Sequence, residues 1–274
     1  MIRLLLPLTV ILLAACSDSK KDAQAMEITT DLQVVVLGGP TCAEFVNGLK
    51  AAGVSKVQDL SGESLAGKAA ALHAASVAVI LVDATEGPLP VTREDTILAR
   101  QFCRGTVMAA FSKSALVEDA ELLDLEEMEV RDLLSKYNPL GATAAVVFDS
   151  ASARTKLPKG FGAIAAVLSK MPPADPPPPA KPKQEVGVHL HVLVDTETFK
   201  RGMARPLSSG SYQLIFGDKV VPCTLQTPRP VQPGATGSVM LTFPETLNLG
   251  GGDLFVIGMQ DHVIAGGVIM GVSR

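Results

Sequence analysis

Between Leu32 and Met171, apolar and polar positions follow one repeating pattern. A short apolar run closed by glycine or a polar turn is followed by a longer segment with helical spacing. LQVVVLGG (residues 32–39) reads as a buried strand, and CAEFVNGLKAAG (42–53) as a short helix stopped at Gly53. KVQDLSG (56–62), VAVILV (77–82), GTVMAAFS (105–112) and TAAVVFDS (143–150) read as four further strands. Helices are predicted over SLAGKAAALHAA (64–75), from near Thr92 to Phe102, over residues 117–137 and over GFGAIAAVLSKM (160–171). The helix that runs from Val117 to Tyr137 carries acids in its first turns (Glu118, Asp119, Glu121, Asp124) and Arg131 and Lys136 at its far end, as the helix dipole favours. Leu122, Leu125, Val130, Leu133 and Leu134 are expected to form its apolar stripe.

Strands that alternate with helices need a parallel sheet, because parallel neighbours are joined by crossovers. Residues 31–171 are therefore predicted to form a doubly wound α/β domain. PPADPPPPAKPK (172–183) ends it, since proline lacks the N–H and fixes φ. A proline-rich linker is placed at 172–185. Beyond it the period changes to two. VGVHLHVLV, YQLIFG, VVPCTLQTP, GSVMLTFP, DLFVIGMQ and HVIAGGVIMGV are short β-rich runs, which predict an antiparallel barrel or sandwich over residues 186–274.

Composition narrows the function. The net charge of −4 and 4% aromatic content, with no Trp, supply neither the basic surface nor the stacking platforms of a nucleic-acid binder. The N-terminus reads as an export signal: a basic start at Arg3, an apolar run over 4–13, then Leu13-Ala14-Ala15-Cys16. This resembles the lipobox of bacterial lipoproteins, which implies a signal peptide at 1–15, a lipidated Cys16, a tether over 16–30 and attachment to a membrane. Ser17 after the cysteine favours the outer membrane, facing the periplasm. Cys42, Cys103 and Cys223 are too widely spaced for a zinc site and read as small buried hydrophobes, although one bridge among them stays open. His189 and His191 share one strand face without an evident third ligand, His73 and His262 are isolated, and no G-x-S-x-G elbow is present.

VDATEGPLPVTREDTILARQF (82–102) and VEDAELLDLEEMEVRDLLSKY (117–137) resemble elongation factor Tu in order and spacing. ARPLSSGSYQLIFG (204–217), VQPGATGSVMLTF (231–243) and LFVIGMQDHVIAGGVI (254–269) are similar to the third, barrel domain of that family. The middle barrel has no counterpart, and the proline spacer stands in its place. The resemblance implies a P-loop GTPase-like domain followed by an antiparallel β-barrel, with GTP and Mg²⁺ as ligands and protein partners docking on the helix at 117–137.

The nucleotide motifs are degenerate. Against G-x-x-x-x-G-K-[ST] counted from Gly38 and Gly39, the second glycine is Ala43, the lysine is Glu44 and the hydroxyl is Phe45. A carboxylate in place of the phosphate-binding ammonium repels the ligand. Asp59 and Gly62 fit D-x-x-G, but Glu63 follows where the family has histidine. In the guanine-reading N-K-x-D only Lys113 survives, between Ser112 and Ser114-Ala115. Ser150-Ala151 matches the last guanine motif. The expectation is a lipid-anchored pseudo-GTPase scaffold that binds no cofactor and contacts a protein partner. The alternative is residual GTP binding at Gly38, Gly39, Asp59, Gly62, Lys113 and Ser150.

Overall fold

The computed structural model describes residues 32–137, 144–174, 180–193, 205–259 and 262–270. Cys16, the signal segment, the tether and part of the proline spacer lie outside the described residues.

The first domain is a five-stranded parallel sheet of β1 (Val34–Leu37), β2 (Val57–Asp59), β3 (Val77–Asp83), β4 (Thr106–Ser112) and β5 (Val146–Phe148), in the order β2-β1-β3-β4-β5. The central strand β3 is buried from Val77 to Val82, which is why it reads as an unbroken apolar run. Helices α1 (Cys42–Ala51) and α5 (Phe161–Leu168) cover one face, where Phe45 meets Phe161 with ring centroids 5.4 Å apart. Helices α2 (Leu65–Ala74), α3 (Pro90–Phe102) and α4 (Ala120–Tyr137) cover the other face. The sheet is doubly wound.

Two local differences from the expected elements have physical causes. Helix α3 opens at Pro90, two residues ahead of Thr92, because proline at the first helical position has no N–H to lose. The Thr92 hydroxyl accepts the Leu89 N–H at 3.1 Å and closes that end. Helix α4 buries Leu123, Val130, Leu133 and Leu134, while Leu122 and Leu125 are 43% and 58% exposed. The buried stripe includes Glu126, a residue an apolar pattern skips over, and this turns the helix away from the expected face.

The second domain is a closed antiparallel barrel of β6 (Lys181–Val192), β7 (Gly210–Phe216), β8 (Lys219–Gln226), β9 (Thr236–Leu249), β10 (Leu254–Met259) and β11 (His262–Ile269), in the order β10-β11-β6-β9-β8-β7. Strand β6 begins inside the segment assigned to the linker. Lys181, Pro182 and Lys183 pair with Leu249, Asn248 and Leu247, past an irregularity that contains Pro244. Prolines are tolerated there because the register with β11 covers only Val188–Val192 of β6, and the bulged stretch makes no regular ladder.

The two domains share a core. Leu193, Ile215, Val256 and Val263 of the barrel side pack into the same apolar cluster as the residues of α2 and α3. Two strand glycines allow this close approach. A Cβ at Gly258 would stand 2.7 Å from Leu65 Cδ2, and one at Gly266 would stand 2.8 Å from Gln101 Nε2. His262 Nδ1 lies 3.4 Å from Glu94 Oε2 across the same junction. All three described cysteines are free thiols, and burial pushes Cys42 up to about 12 and Cys223 up to about 11.

Candidate functional site

In a parallel sheet of this order, ligands bind beyond the carboxyl ends of the strands, where β1 and β3 send their chains to opposite faces. Gly38 and Gly39 follow β1, Asp59 ends β2, Lys113 follows β4 and Ser150 comes two residues after β5. The structure thus brings the sequence-identified positions to one edge of the sheet. Each is engaged locally.

Only four residues, Gly38 to Thr41, join β1 to α1. Gly38 has φ +151°, and a Cβ there would meet the Leu81 carbonyl oxygen at 2.7 Å, so its lack of a side chain serves the contact with β3. The Cys42 N–H donates to Gly39 O at 3.2 Å. The hydroxyls of Thr41 and Ser112 are 3.0 Å apart and hydrogen-bonded. Phe45 turns into the core below α1, whereas Glu44 is exposed on the first turn. Asp59 Oδ1 accepts the Ser61 N–H at 2.8 Å, and Ser64 accepts the Gly67 N–H at 3.2 Å at the start of α2. The D-x-x-G segment is therefore a turn stabilised by its own aspartate, an Asx turn.

Lys113 is the non-glycine residue with positive φ among the described residues, at φ 55°. Its backbone N–H donates to Asp149 Oδ2 at 2.8 Å, and its ammonium donates to Asp83 Oδ2 at 2.5 Å. The Ser114 N–H and hydroxyl both donate to Asp149 Oδ1, at 3.1 and 2.5 Å. The Ser150 N–H returns a bond to the Ser114 hydroxyl at 3.2 Å. Asp83 and Asp149 organise this corner, and sequence reasoning singled out neither. Their signals were slight: an Asp two residues before Thr85, and an Asp just before Ser150. Asp83 Oδ1 accepts from the Thr85 N–H and hydroxyl, at 2.9 and 2.6 Å.

The charges are mainly acidic. Burial pushes Asp83 up, but bonds from Lys113 and Thr85 outweigh it and hold its carboxyl below the usual range. Asp83, followed by Glu86 and Glu44, raises Lys113 against a smaller opposing effect of desolvation. Ala115, at the guanine-reading carboxylate position, is exposed and offers no acceptor. Among the described residues no three His, Cys, Asp or Glu side chains converge on a point where a metal ion fits. His189 and His191 each bond to a residue opposite them on the neighbouring strand β9, Ser238 at 3.1 Å and Thr236 at 3.2 Å.

The second candidate is the outer side of α4. Leu122, Leu125 and Met128 are 43%, 58% and 58% exposed, and Leu116, on the 3₁₀ turn ahead of the helix, is 68% exposed. Glu118, Asp119, Glu121, Asp124 and Glu129 are exposed around them. Among the described residues no helix is long and apolar enough to cross a membrane.

No protein-family model matches the chain. Among solved structures it is similar to the apo form of translation elongation factor SelB from Methanococcus maripaludis. The identity is 12%, 86% of this chain and 79% of that chain are covered, and the TM-score is 0.52. At that identity the likeness is one of fold: a translation-factor-like α/β domain followed by a β-barrel.

Proposed function

We propose that the protein is a lipid-anchored pseudo-GTPase of elongation factor Tu type. It turns over no nucleotide and acts by protein contact at the cell envelope, attached through Cys16 to the outer membrane on its periplasmic side. The observation that carries this reading is the pairing of Lys113 with Asp83 beside the four-residue loop after β1. Groups that would face phosphate or guanine are bonded to one another, and Glu44 adds negative charge where a phosphate would need positive charge. The absent acceptor at Ala115 would leave the N–H groups of guanine unpaired, a cost of several kcal/mol.

Calorimetry with GTP and GDP in the presence of Mg²⁺ is expected to give no saturable heat. A micromolar dissociation constant for either nucleotide would overturn the reading. For the anchor, Cys16→Ala is expected to leave the protein unprocessed or soluble, and unchanged membrane fractionation counts against lipidation.

The contact surface in this reading is the outer side of α4. An apolar stripe rimmed by acids suits a partner segment whose apolar residues are flanked by Lys and Arg. A photoreactive residue at Leu125 should form adducts in intact cells that high salt diminishes, while one at Lys156, remote in sequence on the loop after β5, should not. Equal labelling at both positions would argue against this surface.

A further inference from the structure

The C-terminal turn of α3 and the barrel line a half-open cavity of about 470 Å³, within the size range of small-molecule sites. Phe102, Phe216, Leu247 and Leu254 supply apolar wall from both domains. Arg100 and Arg104, one turn apart on the α3 end, face the same space as Lys219 at the start of β8.

Arg104 carries the argument. Its Nε and Nη1 are buried and have no hydrogen-bond partner among the described residues, and the same holds for Gln101 Oε1, also in the cavity wall. Buried donors without partners are rare because each costs about 1–3 kcal/mol, and a charged group costs more. At the carboxyl ends of the strands, by contrast, the Lys113 ammonium and the Ser114 hydroxyl have acceptors in Asp83 and Asp149. Here Arg100, Arg104 and Lys219 form no ion pair among the described residues, although Asp218 and Asp253 also line the space. Asp253 is committed to the Gly250 N–H at 2.6 Å. Burial and then the Arg104 charge hold His73 below its usual range, so it enters as a neutral hydrogen-bonding ring beside Gly217.

From this cavity we infer a binding site for a small monocarboxylate with an apolar body, anchored on Arg104 and bridging the two domains. Three fixed cations against two carboxylates leave one net positive charge. That balance matches a single negative charge and disfavours a phosphate dianion, which the two acids would repel. The apolar wall asks for a hydrocarbon or aromatic body on that carboxylate. The site is independent of nucleotide binding and of lipidation, so failure of either leaves it standing.

The test is calorimetry on the full chain with 3-phenylpropionate and octanoate, set against 3-phenylpropionamide and inorganic phosphate. Saturable binding of at least one carboxylate is expected, with the amide and phosphate at least about tenfold weaker. Arg104→Met should weaken the carboxylate about 10- to 100-fold, the loss expected for a charge-assisted hydrogen bond. Without ligand it should melt no lower than the wild type, because it removes buried donors that have no partner. Lys219→Glu, at an exposed wall position, should also weaken binding without touching the core. The inference is overturned if neither carboxylate binds, if phosphate or the amide binds as tightly, or if Arg104→Met leaves carboxylate affinity unchanged.

Discussion

Glu126 offers a direct measure of the electrostatics between α4 and the sheet edge. It is 9% exposed, its Oε2 has no partner among the described residues, and its carboxyl lies near Glu129 and Asp83. Burial first, then those two negative charges, push its pKa from 4.5 up to about 7. In the unfolded chain it titrates near 4.5, so between these values the folded state holds the extra proton. Stability must therefore fall as pH rises through that window, and the whole loss is present above pH 7. The interval, at about 1.4 kcal/mol per pH unit, sets a ceiling near ~3 kcal/mol. Water on the open side of α4 brings the expected effect to about 1–2 kcal/mol.

Glu126→Gln keeps the shape and removes the titration. Urea unfolding of wild type and variant at pH 4, 5, 6, 7 and 8 isolates the effect, because every other titrating group is common to both proteins. The stability difference is expected to be independent of pH below about 4.5, then to grow in favour of the variant by about 1–2 kcal/mol up to pH 8. Any constant offset from the amide is immaterial, since only the slope is diagnostic. Parallel pH profiles for the two proteins would refute the assignment of a buried, proton-retaining carboxyl at this position.

Lys68→Met removes the ammonium that donates to Asp95 Oδ1 at 2.8 Å, leaving a fully buried carboxylate uncompensated. The expected loss is about 3–5 kcal/mol at pH 8. It should be smaller at pH 5, because burial already pushes Asp95 up to about 6, and an equal loss at both pH values would contradict this. Gly258→Val places a branched side chain where a Cβ alone would stand 2.7 Å from Leu65 Cδ2 and 3.1 Å from Ile215 Cδ1. Scanning calorimetry should then resolve two transitions in place of one, and a single transition at the wild-type temperature would show that the domains dock elsewhere.

The elements of the α/β domain were readable because their strands are apolar runs bounded by glycine or polar turns, of which β3 is the longest. The barrel was readable from its change of period. What stayed hidden has a common cause: side chains whose role depends on a distant neighbour. Glu126 looks like a solvated acid until α4 is seated on the sheet, and its presence in the inward stripe sends Leu122 and Leu125 outward. Asp83 and Asp149 look like ordinary strand-end acids until β3, β4 and β5 lie side by side. Lys181–Lys183 looks like spacer because pairing with Leu247–Leu249 is a contact across some sixty residues, with prolines on both strands.

Gly38 has a structural role that needs no ligand. Its Cβ-free approach to the Leu81 carbonyl is a packing requirement of β1 beside β3, and it holds whether or not a phosphate ever sits on the loop. The same reasoning separates the two polar regions of the molecule. The sheet edge satisfies its donors internally: Lys113 with Asp83, Ser114 with Asp149, Thr41 with Ser112. The domain junction does not. Arg104 lines a space shared by both domains and keeps two buried donors without acceptors among the described residues, although Asp218 lies in the same wall. Since buried donors without partners are destabilising, a fold under selection for stability alone would replace this side chain with an apolar one of similar volume.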